Sequence, residues 1–179
     1  ETAQALRAHF HQSSTSAYRL IFGENDGMPG LIVDRYNDVL VMKVYALMWA
    51  PYLALIRALL IEVTHCRAIV FRAGRQFAKG AKEFPWLDGM VIHGDLINET
   101  VHFTEHGVNF SANLIQGHKT GFFLDHRANR KRVGQLAKGR SVLDVFSYAG
   151  GFSVHSLVSG AQNVTSIDIS EKALLQAKA

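Results

Sequence analysis

Cysteine and proline are scarce in this sequence, with one Cys and three Pro among 179 residues. The single Cys66 excludes an internal disulfide framework and suits a reducing, cytoplasmic setting. Within Val63-Thr-His-Cys-Arg-Ala-Ile-Val70 it reads as a buried structural thiol. So few prolines, beside 48% hydrophobic residues and 11 Phe, argue for a folded core rather than a disordered tail. Long apolar runs are missing as well. The longest, around residues 45–61, is broken by Pro51 and Arg57 and is expected not to span a membrane. Residues 1–15 lack an apolar centre, so no signal peptide is expected. Nine histidines are scattered, only His9-x-His11 has a ligand-like spacing, and no metal site is expected. The net charge of +4, with a pI near 9.3, is compatible with a polyanionic partner but does not demonstrate one.

What is present changes character partway along the chain. Residues 3–10 have helical spacing, and strand-like runs then dominate, at 18–22, 31–36 and 39–45. The first two are joined by Asp-Gly and Pro-Gly turn chemistry, the next pair across Asn37-Asp38. Leu53, Ile56, Leu59, Leu60 and Val63 form a helical stripe opened by Pro51, and 67–72 is a short β-rich run. Residues 100–104 and 108–112 alternate apolar and polar around Glu105-His-Gly107, which predicts a hairpin. Beyond about residue 112 the pattern becomes helix (123–136), strand (141–146), helix (152–159, ended by Gly160), strand (164–168) and a third helix capped by Ser170. Such alternation predicts the start of a parallel, doubly wound sheet. The boundary between a strand-rich region, 1–112, and this second region, 113–179, is placed there.

Chemistry is expected where Val142-Leu-Asp-Val-Phe-Ser-Tyr-Ala-Gly-Gly-Phe-Ser-Val154 runs from strand through a Gly-Gly turn into a helix. Glycines let a ligand approach the backbone, and a helix N-terminus offers N–H groups to it. Asp168, at the end of the next strand, stands where an acid can accept both hydroxyls of a ribose. The plainer alternative makes Gly150-Gly151 a tight turn and Asp168 a helix cap; the combination favours a nucleoside cofactor. The dinucleotide pattern G-x-G-x-x-G is absent, and Gly117-His-Lys-Thr120 lacks the glycine that a phosphate-binding P-loop requires. Asp144 inside the first strand, followed by Gly150, instead fits class I methyltransferases, whose cofactor carries an amino group that an acid near this loop can hold.

Gln116-Gly-His-Lys-Thr-Gly-Phe-Phe-Leu-Asp-His-Arg127, followed by Asp144-Val-Phe-Ser-Tyr-Ala-Gly-Gly-Phe152, resembles the bacterial large-subunit (23S) rRNA cytosine-5 methyltransferases. The segment Gly23-Glu-Asn-Asp-Gly-Met-Pro-Gly-Leu-Ile-Val-Asp-Arg35 is similar to that family's central domain. The resemblance covers roughly residues 18–179. It implies an α+β middle domain followed by the first part of an α/β Rossmann-like class I methyltransferase domain, with S-adenosylmethionine as cofactor and rRNA as partner. It also implies that the chain is a fragment, without the family's RNA-binding PUA domain and without the catalytic half. By the same correspondence Thr120, Phe123 and Arg127 line the cofactor's methionine end and Asp125 braces their loop. Asp144, Tyr148 and Gly150 surround its amino acid moiety, Asp168 holds the ribose and Ile169 lies against the adenine. For Phe123 and Tyr148 simple core packing is the alternative.

Cytosine-5 transfer needs a thiolate that adds to C6, and amino-group transfer needs an Asn/Asp-Pro-Pro-aromatic loop. No cysteine follows Asp168, and Pro29, Pro51 and Pro85 are all isolated. No catalytic residue is therefore assigned; a nucleophile is expected beyond Ala179. Two basic clusters, Arg72/Arg75/Lys79/Lys82 and Arg127/Arg130/Lys131/Arg132, are candidate phosphate contacts, with Arg72, Arg75, Lys79, Arg130 and Lys131 singled out for RNA. Phe71, Phe77, Phe84 and Trp86 beside the first cluster are candidate base-stacking residues. A solvated helix face and ordinary packing are the respective alternatives. Two other functional readings stay open: an RNA-docking module that uses no cofactor, and a parent enzyme that methylates guanine N2. A bare edge on the 141–146 strand is expected to favour a homodimer.

Overall fold

The computed structural model describes residues 2–12 and 14–178. The chain forms two compact units, residues 1–124 and 125–179.

The first unit is built on a five-stranded sheet in the order β1 (Ala17–Phe22), β2 (Leu31–Tyr36), β3 (Val39–Val44), β4 (Ala68–Ala73), β5 (Val91–His93). The strands β1, β2 and β3 are antiparallel neighbours, with Tyr36 opposite Val39 across the Asn37-Asp38 turn. Asn37 takes a left-handed φ of 59° there, which its short side chain tolerates. β3 and β4 are parallel, so the chain must cross over, and α2 (Leu53–Thr64) supplies the crossover. In β3, Val39, Leu40, Val41, Met42 and Val44 are all fully buried. That is why this strand reads as a continuous apolar run instead of alternating: both of its faces are covered.

One face carries the main core, where Leu31, Val33, Leu40, Met42, Ile69 and Phe71 meet Leu53, Ile56 and Leu60 of α2. Leu59, expected in the α2 stripe, is instead 48% exposed. The helix ends at His65, whose left-handed conformation (φ 49°) closes it without a glycine. A short α3 (Arg75–Gly80) follows β4, and α1 (Thr2–Leu6) precedes β1. The other face is covered by the hairpin of β6 (Thr100–Glu105) and β7 (Val108–Asn113). Its turn residues His106 and Gly107 both have positive φ (52° and 80°), the requirement of a two-residue turn matching strand twist. Phe103 packs edge-on against Tyr36 of the sheet and against Phe122.

The 3-10 turn Leu47–Tyr52 runs into α2 through Pro51, which is tolerated near the start of a helix. The joined run, residues 47–64, is by length and composition apolar enough to cross a membrane, at a mean hydropathy of 1.5 over 18 residues. Leu53, Ile56 and Leu60 of this run, however, lie in the sheet's core. Residues 113–124 pack with the first unit: Leu114 is fully buried, and the Phe122 N–H donates to the Tyr36 hydroxyl at 3.0 Å.

The second unit runs α4 (Arg127–Ala137), β8 (Ser141–Val145), α5 (Gly151–Val158), β9 (Asn163–Ile167) and α6 (Glu171–Lys178). β8 and β9 pair in parallel, as the alternation of strand and helix foretold. The first helix starts at 127 rather than 123, after a 3-10 turn at Leu124–His126.

Candidate functional site

The segment between β8 and α5 has the properties of a ligand loop. Phe146 and Tyr148 both hold left-handed backbone conformations (φ 66° and 49°), as does Gly150 (φ 72°). For two bulky residues this costs of order 1–3 kcal/mol each, and such cost collects where a loop is shaped for binding. A Cβ at position 150 would also come within 3.0 Å of Ala177 in α6, so glycine is needed there on two counts.

Two acids hold this loop. Asp168, just past β9, accepts the Tyr148 N–H on Oδ2 at 2.7 Å and the Ser170 N–H on Oδ1 at 2.8 Å. It therefore does cap the turn into α6, as the plainer reading proposed, and it also ties the two loops at the strand ends together. Asp144, within β8, accepts both the N–H and the hydroxyl of Ser153 on Oδ2, at 3.1 and 2.6 Å. The N-cap of α5 is Gly150, which has no side chain, so the strand acid reaches up and serves an orphan donor of the first turn. Ser153 in turn contacts the Ser166 hydroxyl at 2.7 Å, which links β8, α5 and β9.

Ser147 Oγ is buried in this loop with no hydrogen-bond partner among the described residues. Buried hydroxyls are nearly always partnered, and an orphan within a strained loop marks a position that a bound polar group completes. Ile169 is fully exposed beyond Asp168, and Phe146 is 87% exposed. Ser147 and Ser153 were missed by sequence reasoning: a serine in a loop carries no periodicity, and only the position of Asp144 one strand away gives Ser153 its role.

The structure thus brings Asp144, Tyr148, Gly150 and Asp168 to one loop of the second unit, with Ile169 adjoining. Arg127 is the first residue of α4, and Asp125 is exposed with its carboxylate 3.8 Å from His126 Nε2. Thr120 and Phe123 belong to the first unit. Thr120 is buried, its hydroxyl donating to Asp34 and lying 3.4 Å from that of Tyr36. There it anchors its own loop. Phe123 lies under the Lys119 ammonium, 4.1 Å from ring centroid to Nζ.

Three charged strand residues grip that loop. Asp34 takes Thr120 while paired with Arg19 at 2.8 Å. Lys43 Nζ donates to the Lys119 carbonyl at 3.0 Å, and Arg72 donates to the carbonyls of Leu114 and Gly117 at 3.2 and 3.1 Å. Burial, reinforced by the neighbouring Arg72 charge, lowers the Lys43 pKa, and burial raises that of the Tyr36 phenol.

Several expected RNA contacts are corrected by this geometry. The Arg72 guanidinium is spent on those carbonyls and on Asp88 at 3.0 Å. Arg130 is 2% exposed, on the α4 stripe with Gly134 and Ala137 that packs on α5, and a buried guanidinium cannot reach a phosphate. Phe71, Phe77, Phe84 and Trp86 form one edge-to-face cluster against the core and do not form a stacking platform. Arg75, Lys79 and Lys131 are exposed. Among the described residues no group of three or more His, Cys, Asp or Glu could hold a metal ion; the side chain of His11 lies outside them.

Known proteins similar to this chain are methyltransferases. A sequence model described as S-adenosylmethionine-dependent methyltransferase matches residues 19–178. A ribosomal RNA large subunit methyltransferase of Deinococcus radiodurans is 48% identical over 164 residues, covering 92% of this chain and 40% of its own length. A SAM-dependent methyltransferase structure from Streptococcus mutans superposes with a TM-score of 0.85 at 25% identity, over 99% of this chain and 45% of that one. A methyltransferase solved in complex with SAH matches with the same TM-score and identity, over 99% of this chain and 44% of that one. The chain spans less than half the length of these curated relatives.

Proposed function

The chain belongs to the S-adenosylmethionine-dependent methyltransferase family, and from that premise we propose that its second unit is the cofactor-binding opening of a Rossmann-like domain in a large-subunit rRNA methyltransferase. On this reading the first unit is the α+β domain that precedes it. The observation that carries the proposal is the Asp168–Tyr148 tie within the strained 146–150 loop.

The second unit's residues divide the binding. Asp168 accepts the ribose hydroxyls, Ile169 offers an apolar surface to the adenine, and Asp144 attracts the positively charged amino group. The Ser147 hydroxyl supplies a further hydrogen bond. When bound, S-adenosylmethionine supplies an electrophilic methyl group. The base proposed to receive it is cytosine, at C5, which requires a thiolate to add to C6 first. Cys66 is not that thiolate: it is 5% exposed in the first unit, and burial pushes its pKa up, away from the reactive form. A lone buried thiol also suits the reducing cytoplasm in which the protein is proposed to work. With Cys66 buried in the first unit, this chain is proposed to bind cofactor without itself supplying that thiolate. Exposed Arg75, Lys79 and Lys131 are the proposed phosphate contacts.

Labelled methyl groups from S-adenosylmethionine should not reach large-subunit rRNA in the presence of this chain, while the Deinococcus radiodurans relative serves as the positive control. Transfer by the chain alone would overturn the inactive half of the proposal. Label recovered on guanine would redirect the base assignment.

Self-association is a second expected property. Parallel sheets are ordinarily covered on both faces. Here Leu143, Val145 and Ile167 stand on one face of β8–β9 at 62%, 47% and 51% exposure. Light scattering should show concentration-dependent dimers or larger species, and Leu143→Lys with Ile167→Lys should abolish them. A monodisperse monomer at millimolar concentration would contradict this.

A further inference from the structure

Between the 3-10 turn Leu47–Tyr52 and the segment following α3 lies an open groove of about 500 Å³, within the range of small-ligand clefts. Leu47, Phe84 and Pro85 line it with apolar surface, and Lys79, Lys82 and Glu83 with charge. Lys79, Lys82 and Glu83 are exposed, and Leu47 is 47% exposed. One turn before Lys79 on α3 stands Arg75, also exposed, and the i, i+4 spacing puts the two on one helix face.

The helix's own electrostatics do not explain this arrangement. A cation in the last turn of a helix, such as Lys79, is favoured by the dipole there. Arg75 occupies the first turn, where the dipole disfavours a cation and where α3 has no acidic residue to offset it. Two lysines against the single Glu83 on the rim, with Arg75 one turn away on the same helix face, make this surface complementary to a polyanion. The apolar lining is complementary to something flat and uncharged. A duplex keeps its bases stacked inside, whereas an unpaired strand offers both phosphates and exposed base faces.

We infer that this groove is a docking site for single-stranded RNA, with Lys79, Lys82 and Arg75 on the phosphates and one base against Leu47 and Pro85. The inference rests on the rRNA reading above and gives the first unit a defined share in it. Phe84 contributes an edge of the core's aromatic cluster to the groove wall; it is not a free stacking ring.

The test is fluorescence anisotropy of a labelled eight-nucleotide oligouridylate with the whole chain, across a salt series. Lys79→Glu with Lys82→Glu should weaken binding at least tenfold. Neutralising the pair as Lys79→Ala with Lys82→Ala should reduce the slope of log affinity against log salt by about 1.4, at ~0.7 per phosphate contact on a single strand. Lys79→Arg with Lys82→Arg should restore wild-type behaviour. The charge-matched control, Lys138→Glu with Arg140→Glu on the second unit, should leave affinity within twofold. Equal losses in both charge-reversed proteins would overturn the groove and leave only bulk electrostatics. RNA binding insensitive to Lys79 and Lys82 would remove the groove while leaving the rRNA reading intact. Binding of phosphatidylserine vesicles with no binding of the oligonucleotide would overturn both, in favour of a lipid surface.

Discussion

Replacing Asp34 with alanine should destabilise the protein by about 3 kcal/mol, the lower end of what breaking a buried ion pair costs. The carboxylate is fully buried, and both oxygens face Arg19, with Nε at 2.8 Å and Nη2 at 3.1 Å. Its removal takes the Asp34 carboxylate from a guanidinium that is only about a quarter exposed. It also takes the acceptor from Thr120, which is itself buried. The partial exposure of Arg19 lets water recover some of the loss, hence the lower figure. Asp34→Asn keeps the shape and one acceptor, so it should lose less than the alanine variant. Urea unfolding measures both. Hydrogen exchange adds a local readout, since the Phe122 N–H bonded to the Tyr36 hydroxyl should exchange faster once its neighbour Thr120 is released. A loss below 1 kcal/mol with unchanged exchange would show that Asp34 does not hold the 117–122 loop.

The second large effect is expected at Gly134, where α4 crosses α5. A Cβ there would fall 2.6 Å from Ser159 Oγ and 2.7 Å from the His155 carbonyl oxygen. Serine can rotate away, but a backbone carbonyl cannot. Alanine gains about 1 kcal/mol of helix propensity over glycine, while overpacking a close contact costs ~1–3 kcal/mol. The clash with backbone should win, giving a net loss of up to about 2 kcal/mol. Because α5 carries the first turn that Asp144 caps, cofactor affinity should fall with stability in the same variant. A Gly134→Ala protein more stable than wild type would mean that the helices separate without cost.

What could be read in advance follows from where the determinants lie. The 37–38 and 106–107 turns, the β8–α5–β9 alternation and the loop acids are local patterns, and each is where the sequence placed it. Elements such as α3, with six residues, or β5, with three, are too short to show a period. Residues 113–124 fall in the first compact unit because they are fastened by Asp34, Lys43 and Arg72, which lie far away in sequence and leave no local signal. In the Leu-Ile-Val-Asp-Arg run, Asp34 is the residue that ties the strand to the Thr120 loop. Arg130 misled for the opposite cause: an i, i+3, i+4 basic face is ordinarily solvated, but here Arg130 shares its stripe with Gly134, the point of closest helix approach.

Calorimetric titration with S-adenosylmethionine, wild type beside Asp168→Ala, tests the central claim most directly. The account predicts saturable binding to the wild-type chain that falls at least tenfold when Asp168 loses both the ribose acceptors and its hold on Tyr148. Equal binding by the two proteins, or none by a folded wild type, would contradict it.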